Sequence, residues 1–171
     1  ILQAGLECIG ELDDYAVGEV VMLAARSLEM ISDQYLLDIS HLGFVAALLD
    51  SLKLEQQARS QLLEAVSQKN TSALWSLAEQ WAIPQKTRDV LCRLALLYAP
   101  PIEALPQLEQ MVCTDAMAAA LKELRQLWNL LEQYGLGDRL RLDFSVVDDT
   151  RYYSGVVFRG FLPGLATGVL S

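Results

Sequence analysis

Strand patterns occur only at the two ends of this chain, and the residues between them, from about 54 to 134, carry helical patterns alone. A chain of that layout is expected to be α+β, with a sheet drawing its strands from both ends and a helical subdomain inserted between them. The expected division is a core built from 1–52 and 136–171 and an insertion at 53–135. No fixed-period repeat is visible, which disfavours a helical solenoid.

At the first end, residues 2–9 (LQAGLECI) suit a strand, with Gln3, Gly5, Glu7 and Ile9 on one face and Leu2, Ala4, Leu6 and Cys8 on the other. Asp13 and Asp14 read as caps for an amphipathic helix over 14–31, in which Val17, Val20, Val21, Ala24, Leu28 and Ile31 follow helical spacing. Residues 35–40 (YLLDIS) read as a short buried strand, His41-Leu42-Gly43 as a turn, and 44–52 as the start of a helix. The helical middle breaks at Asn70, Pro84, Pro100-Pro101 and near Thr114. Leu74, Leu77, Ala78 and Trp81 make one short apolar face, and Val90, Leu91, Leu94 and Leu97 another. Met117, Ala120, Leu121, Leu124, Trp128 and Leu131 define a long last helix, with Thr114 as its N-cap and Gly135 as its stop. Beyond it, Leu140, Leu142, Phe144 and Val146 alternate with Arg139, Arg141, Asp143 and Ser145, the pattern of an antiparallel strand with one face open. After a turn at 148–150, residues 152–161 (YYSGVVFRGF) form the next strand, which Pro163-Gly164 ends.

Charge and composition exclude several function classes. The 13 basic residues are scattered and outnumbered by 22 acidic ones, giving a net charge of −9. Phosphate contacts need Lys and Arg, so nucleic acid is not expected as a partner of this segment. The hydrophobic fraction is 53%, above the usual ~45–50%, and the mean hydropathy is +0.25. No apolar run approaches the roughly 18–20 residues that span a bilayer, so no membrane span is expected. The apolar excess must be covered by a core, by a partner chain, or by further parts of the same chain. Cys8, Cys92 and Cys113 are far apart, no CxxC occurs, and His41 is the sole histidine. That count fits reduced thiols in a cytoplasmic protein, with no disulfide framework and no metal site. The chain opens Ile1-Leu2-Gln3, without Met or a basic leader, as an engineered or proteolysed start or an excerpt of a longer protein would.

No GxGxxG, P-loop, GxSxG or HExxH is present, and no cofactor is implied. His41 has no nucleophile beside it in sequence and reads as structural or as a supporting hydrogen-bond group. The segment Gln3-Ala4-Gly5-Leu6-Glu7 aligns an amide, a bare backbone position and a carboxylate on one strand face. It is either a half-site for a small molecule with a cationic amine or a solvated polar face.

The second informative stretch runs Asp149-Thr150-Arg151-Tyr152-Tyr153-Ser154-Gly155-Val156-Val157-Phe158. It resembles the histidine-specific signature of histidyl-tRNA synthetases and of their paralogue, the regulatory subunit of ATP phosphoribosyltransferase. Gln3-x-Gly5-x-Glu7 resembles the second strand of class II motif 2, and Leu37-Asp38-Ile39-Ser40-His41-Leu42-Gly43 the strand and turn that follow. The resemblance covers about 1–50 and 136–171; the helical middle matches in position and character. It implies a class II aminoacyl-tRNA synthetase-like antiparallel sheet with flanking helices. It also implies that Gln3 and Glu7 receive the amino group of histidine, that Tyr153 and Tyr152 border its imidazole, and that Gly155 gives the ligand room.

Two positions depart from an active synthetase. Asp148 stands where the signature begins with an arginine, and Arg151 replaces the usual Asp before the tyrosines. A carboxylate facing ATP phosphates at about 4 Å costs roughly 1 kcal/mol in water and about 4 kcal/mol at an effective dielectric of 20. The sign is wrong for phosphoryl transfer. Together with the acidic balance, this favours the regulatory paralogue: no catalysis, histidine as ligand, self-association, and the phosphoribosyltransferase catalytic subunit as partner. The alternatives are a histidyl-tRNA synthetase fragment and a helical interaction module without a ligand site. The resemblance also implies further family motifs on both sides of this segment.

Overall fold

A computed structural model describes residues 14–146 and 155–164. The elements in chain order are α1 (Asp14–Glu29), β1 (Leu36–His41), α2 (Leu42–Ser51), α3 (Gln56–Ser67), α4 (Thr71–Gln80), α5 (Gln85–Leu96), β2 (Tyr98–Ala99), α6 (Pro101–Glu109), α7 (Asp115–Gln133), β3 (Leu140–Asp143) and β4 (Val156–Phe161).

Local chemistry sets most helix ends. Asn70 caps α4 by accepting from Ala73 N at 3.0 Å, and Thr114 caps α7 by accepting from Met117 N at 3.1 Å. Three helices stop in the same way. After α7, Gly135 turns to φ +75° while Gly135 N donates to Glu132 O and Leu136 N to Leu131 O. The paired bonds recur after α3 with Lys69 at φ 52° and after α4 with Ala82 at φ 50°. Glycine is the usual residue at that position, so two of the three stops carry a side chain in a strained backbone.

Several features differ from the sequence expectation in these elements; the strand expected over 139–146, for one, is limited to Leu140–Asp143. Helix α1 ends at Glu29 rather than 31, and Met30 and Ile31 are exposed beyond it. There is no turn at 41–43: Leu42 opens α2 directly from the last residue of β1. The helical middle contains a strand after all, since Tyr98 and Ala99 pair antiparallel with Asp143 and Leu142. Two residues are too few to leave a period-2 pattern, and only the neighbouring strand makes them a strand.

The sheet order is β2-β3-β1-β4. β1 pairs antiparallel with β4, in register Leu36 with Phe161 through His41 with Val156. It pairs parallel with β3, Asp38 lying beside Arg141. The sheet is thus mixed, and the expectation that β3 lies in an antiparallel surround holds only on its β2 side. The reason is topological: the chain leaves β1 at one end of the sheet, crosses through helices, and re-enters β3 running the same way.

One sheet face is apolar. Leu37, Ile39, Leu140 and Leu142 are buried on it, with Val156 and Phe158 half-buried. Helix α7 covers this face; Ile39, Leu140, Leu142, Leu124, Leu127 and Leu131 surround one interior gap of about 10 Å³. Such a residual volume means a close-packed contact. Helix α1 crosses α7 tightly, because a Cβ at Gly18 would run into Leu130 Cδ2. The buried cluster extends from α1 through β1 and α3–α5 to α7 and β3.

Candidate functional site

The opposite sheet face carries polar side chains, three of them buried. Asp38, Ser40, His41 and Asp143 are the buried polar side chains among the described residues, with exposures of 4%, 0%, 3% and 5%. All four stand on β1 and β3. Strand alternation puts Asp38 and Ser40 on the face away from Ile39, together with their register partners Arg141, Arg159 and Val157. Asp143 continues this face on β3, and Tyr98 borders it from β2.

Asp143 is fully engaged. Its Oδ2 accepts from Lys69 Nζ at 2.9 Å and its Oδ1 from Ser145 N at 2.8 Å. Lys69 also lies over the Tyr98 ring, 5.1 Å from its centroid. Asp38 is not satisfied in this way: its Oδ1 is buried with no hydrogen-bond partner. Burial first, and the neighbouring Asp143 second, raise the Asp38 carboxyl to about 6; Tyr98, Lys69 and Arg141 oppose the shift. The same surroundings push the Tyr98 phenol up, by burial first and then by the charge of Asp38. Ser40 Oγ is likewise buried without a partner. Arg141 donates from one guanidinium nitrogen to Leu140 O at 2.7 Å and Asp138 O at 3.2 Å.

A carboxylate oxygen and a hydroxyl two residues apart on one strand face, both buried without a partner, carry an uncompensated desolvation cost. A carboxyl near 6 can also hold or release a proton close to neutral pH. No nucleophile and base stand together here, and no three His, Cys, Asp or Glu side chains among the described residues could hold a metal ion.

His41 points to the other side. Its Nε2 lies 2.9 Å from Glu123 Oε2 and its Nδ1 is buried without a partner, so it ties β1 to α7. Cys92 and Cys113 are free thiols. Among the described residues no helix is long and apolar enough to cross a membrane.

Of the residues expected from sequence to meet a ligand, Gln3, Glu7, Tyr152 and Tyr153 lie outside the described residues, as do Asp148 and Arg151. Gly155 is placed just before β4, where its carbonyl accepts from Leu42 N at 2.9 Å. A Cβ there would meet no atom within 4 Å. Gly155 therefore sits at the β4 end that pairs with Ser40 and His41. Sequence reasoning assigned no site role to Asp38, Asp143, Lys69 or Tyr98. The signal available was an aspartate inside the apolar run Leu36-Leu37-Asp38-Ile39.

The chain is 28% identical over 166 residues to the ATP phosphoribosyltransferase regulatory subunit of Alkaliphilus metalliredigens, covering 96% of this chain and 42% of that protein. It is 29% identical over 172 residues to the protein of the same name from Geobacter sulfurreducens, covering 100% of this chain and 39% of that protein. The chain thus spans about two fifths of the length of these curated relatives. A crystal structure described as an ATP phosphoribosyltransferase regulatory subunit/histidyl-tRNA synthetase from Bacillus halodurans superposes with a TM-score of 0.82 at 25% identity, covering 93% of this chain and 42% of that one. The expected α+β, class II synthetase-like fold is borne out by that likeness and by the mixed sheet with its helices. A family model described as Histidyl-tRNA synthetase matches residues 1–171 from end to end, and the chain belongs to that family.

Proposed function

We propose that the protein carrying this chain is a non-catalytic regulatory subunit of ATP phosphoribosyltransferase. In this role it supports the first step of histidine biosynthesis and takes part in its feedback control by histidine. The observation that carries this reading is the likeness, over nearly the whole chain, to relatives bearing that name. Two features of the chain support it on chemical grounds. Asp148 puts negative charge where an adenylating enzyme needs positive charge, and the net charge of −9 disfavours tRNA.

In this reading Gln3 and Glu7 receive the ligand's amino group, Tyr152 and Tyr153 border its ring, and Gly155 leaves space beside it. Asp38 Oδ1 and Ser40 Oγ, both buried without a partner, would add polar groups from β1. Residues 53–135 form the helical insertion of a core built from 1–52 and 136–171. The partner is the phosphoribosyltransferase catalytic subunit, the protein self-associates, and the setting is the cytoplasm, where Cys92 and Cys113 stay reduced.

Co-purification of the full-length protein with the catalytic subunit, with a rise in phosphoribosyltransferase turnover on mixing, is the test. Absence of both association and any change in turnover sinks the reading. Histidine-dependent pyrophosphate exchange by the full-length protein alone would instead establish a synthetase.

A further inference from the structure

A cleft of about 400 Å³ opens where β1 begins and β4 ends, at the far end of β1 from His41. Its volume lies in the lower part of the range usual for small-molecule pockets, about 300–1,000 Å³. Leu36, Phe161 and Leu162 give it apolar walls, and Gln34, Tyr35 and Arg139 give it polar groups.

Two of these groups lack a polar partner. Like Arg93, Arg141 and Arg159, Arg139 has no carboxylate partner among the described residues. It instead lies over the Tyr35 ring, 5.2 Å from the centroid. A guanidinium held over a ring in this way keeps its donors for another group. Tyr35 is 2% exposed, and its hydroxyl is buried without a hydrogen-bond partner. Burial holds that phenol above its ordinary pKa, so it remains a donor across the neutral range. The nearby Arg26 is already spent on Glu29, at 2.5 Å.

We infer that this cleft binds a small amphiphilic carboxylate, its head on Arg139 and its apolar body against Phe161, Leu162 and Leu36. One free guanidinium fork matches one planar carboxylate. The inference is independent of the function proposed above, because none of these residues belongs to the Gln3, Glu7 and Tyr153 half-sites.

The experiment is ligand-observed fluorine NMR on the full-length protein with 4-fluorophenylacetate as the probe and 2-(4-fluorophenyl)ethanol as its neutral counterpart. The expected result is line broadening of the acid, with the alcohol at least ~10-fold weaker, as befits a lost charge-assisted bond. Arg139→Gln should weaken the acid by about the same factor and leave the alcohol unchanged, while Arg139→Lys retains part of the binding. Circular dichroism melts confirm that each variant is folded. Should Arg139→Gln fail to fold, Arg139→Met, which keeps the apolar stem of the side chain, takes its place, with a loss of about 10-fold expected for the acid alone. Equal broadening by acid and alcohol, no broadening of the acid at millimolar protein, or an Arg139→Gln variant that binds the acid like the parent overturns the inference.

Discussion

Lys69 ends helix α3 in the left-handed region, at φ 52°, and from that turn its Nζ reaches to 2.9 Å from Oδ2 of the buried Asp143. A backbone position that favours glycine is held by a side chain that neutralises a carboxylate 74 residues away. The helical segment and the polar sheet face are joined at this contact.

Lys69 and Ala82 occupy the same position in two helix stops, so a pair of glycine substitutions separates backbone strain from the ion pair. Ala82→Gly should stabilise by about 0.5–1 kcal/mol, the relief of a left-handed alanine. Lys69→Gly gains the same relief but strands Asp143, a buried group whose lost bond costs about 1–3 kcal/mol. Its urea midpoint should therefore fall while that of Ala82→Gly rises. Equal shifts in both variants would show that the Lys69–Asp143 contact contributes nothing to stability. Adding Asp143→Asn to Lys69→Gly should recover part of the loss, since the stranded charge goes with it.

Asp38 gives a pH dependence of fixed sign. Its carboxyl is raised from 3.8 to about 6, so between those values the folded state binds more protons than the unfolded state. The stability associated with the protonated form is complete below about pH 3.8 and is lost as pH rises through about 6. A displacement of that size corresponds to at most about 3 kcal/mol. Asp38→Asn removes the titration and keeps the shape. The variant should be more stable than the parent at pH 8 by about 1–3 kcal/mol, and the difference should vanish near pH 4. Chemical denaturation at pH 4, 5, 6, 7 and 8 measures it; a difference that is constant across that range rules out the raised carboxyl.

Features written in a few adjacent residues were legible in the sequence, and features made by distant partners were not. Thr114 and Gly135 declared the two ends of α7 because a cap and a left-handed stop are local chemistry. The strand character of β1 was plain from residues 35–40. Its pairing was not, because parallel or antiparallel depends on where the chain returns after α2–α7. Asp143 illustrates the limit. Its alternation with Leu142 and Phe144 put it correctly on the polar face, but alternation carries no information on whether that face is open. Lys69, Tyr98 and Asp38 surround Asp143 on it, and each comes from a different segment. Asp38 could have been flagged as a charge in an apolar run, whereas nothing local marks Lys69 as its neighbour. Gln3, Glu7, Tyr152 and Tyr153 stand on sequence alone.

Thr114 offers a plain test of the α7 contact with the apolar sheet face. Thr114→Ala deletes the bond to Met117 N and should cost about 1 kcal/mol, with Thr114→Ser nearly neutral. Because α7 covers β1 and β3, amide exchange should quicken in Ile39 and Leu142 as well as in the first turn of α7. Acceleration confined to that turn would mean that the helix end frays without loosening the sheet.

The proposed histidine half-site can be tested through the ligand as well as the protein. If Glu7 receives the amino group, Glu7→Ala removes a charge-assisted hydrogen bond, a loss of about 1.5–3 kcal/mol or roughly 10–100-fold in Kd. An imidazolepropionate lacks the amine and has nothing to lose at Glu7. It should bind the parent more weakly than histidine does, and it should bind Glu7→Ala and the parent alike. Tyr153→Ala should weaken both ligands, because both carry the ring. Calorimetry of the two ligands against the full-length parent and both variants completes the cycle. If Glu7→Ala weakens histidine and imidazolepropionate equally, Glu7 acts on the shape of the pocket rather than on the amine, and the assignment fails.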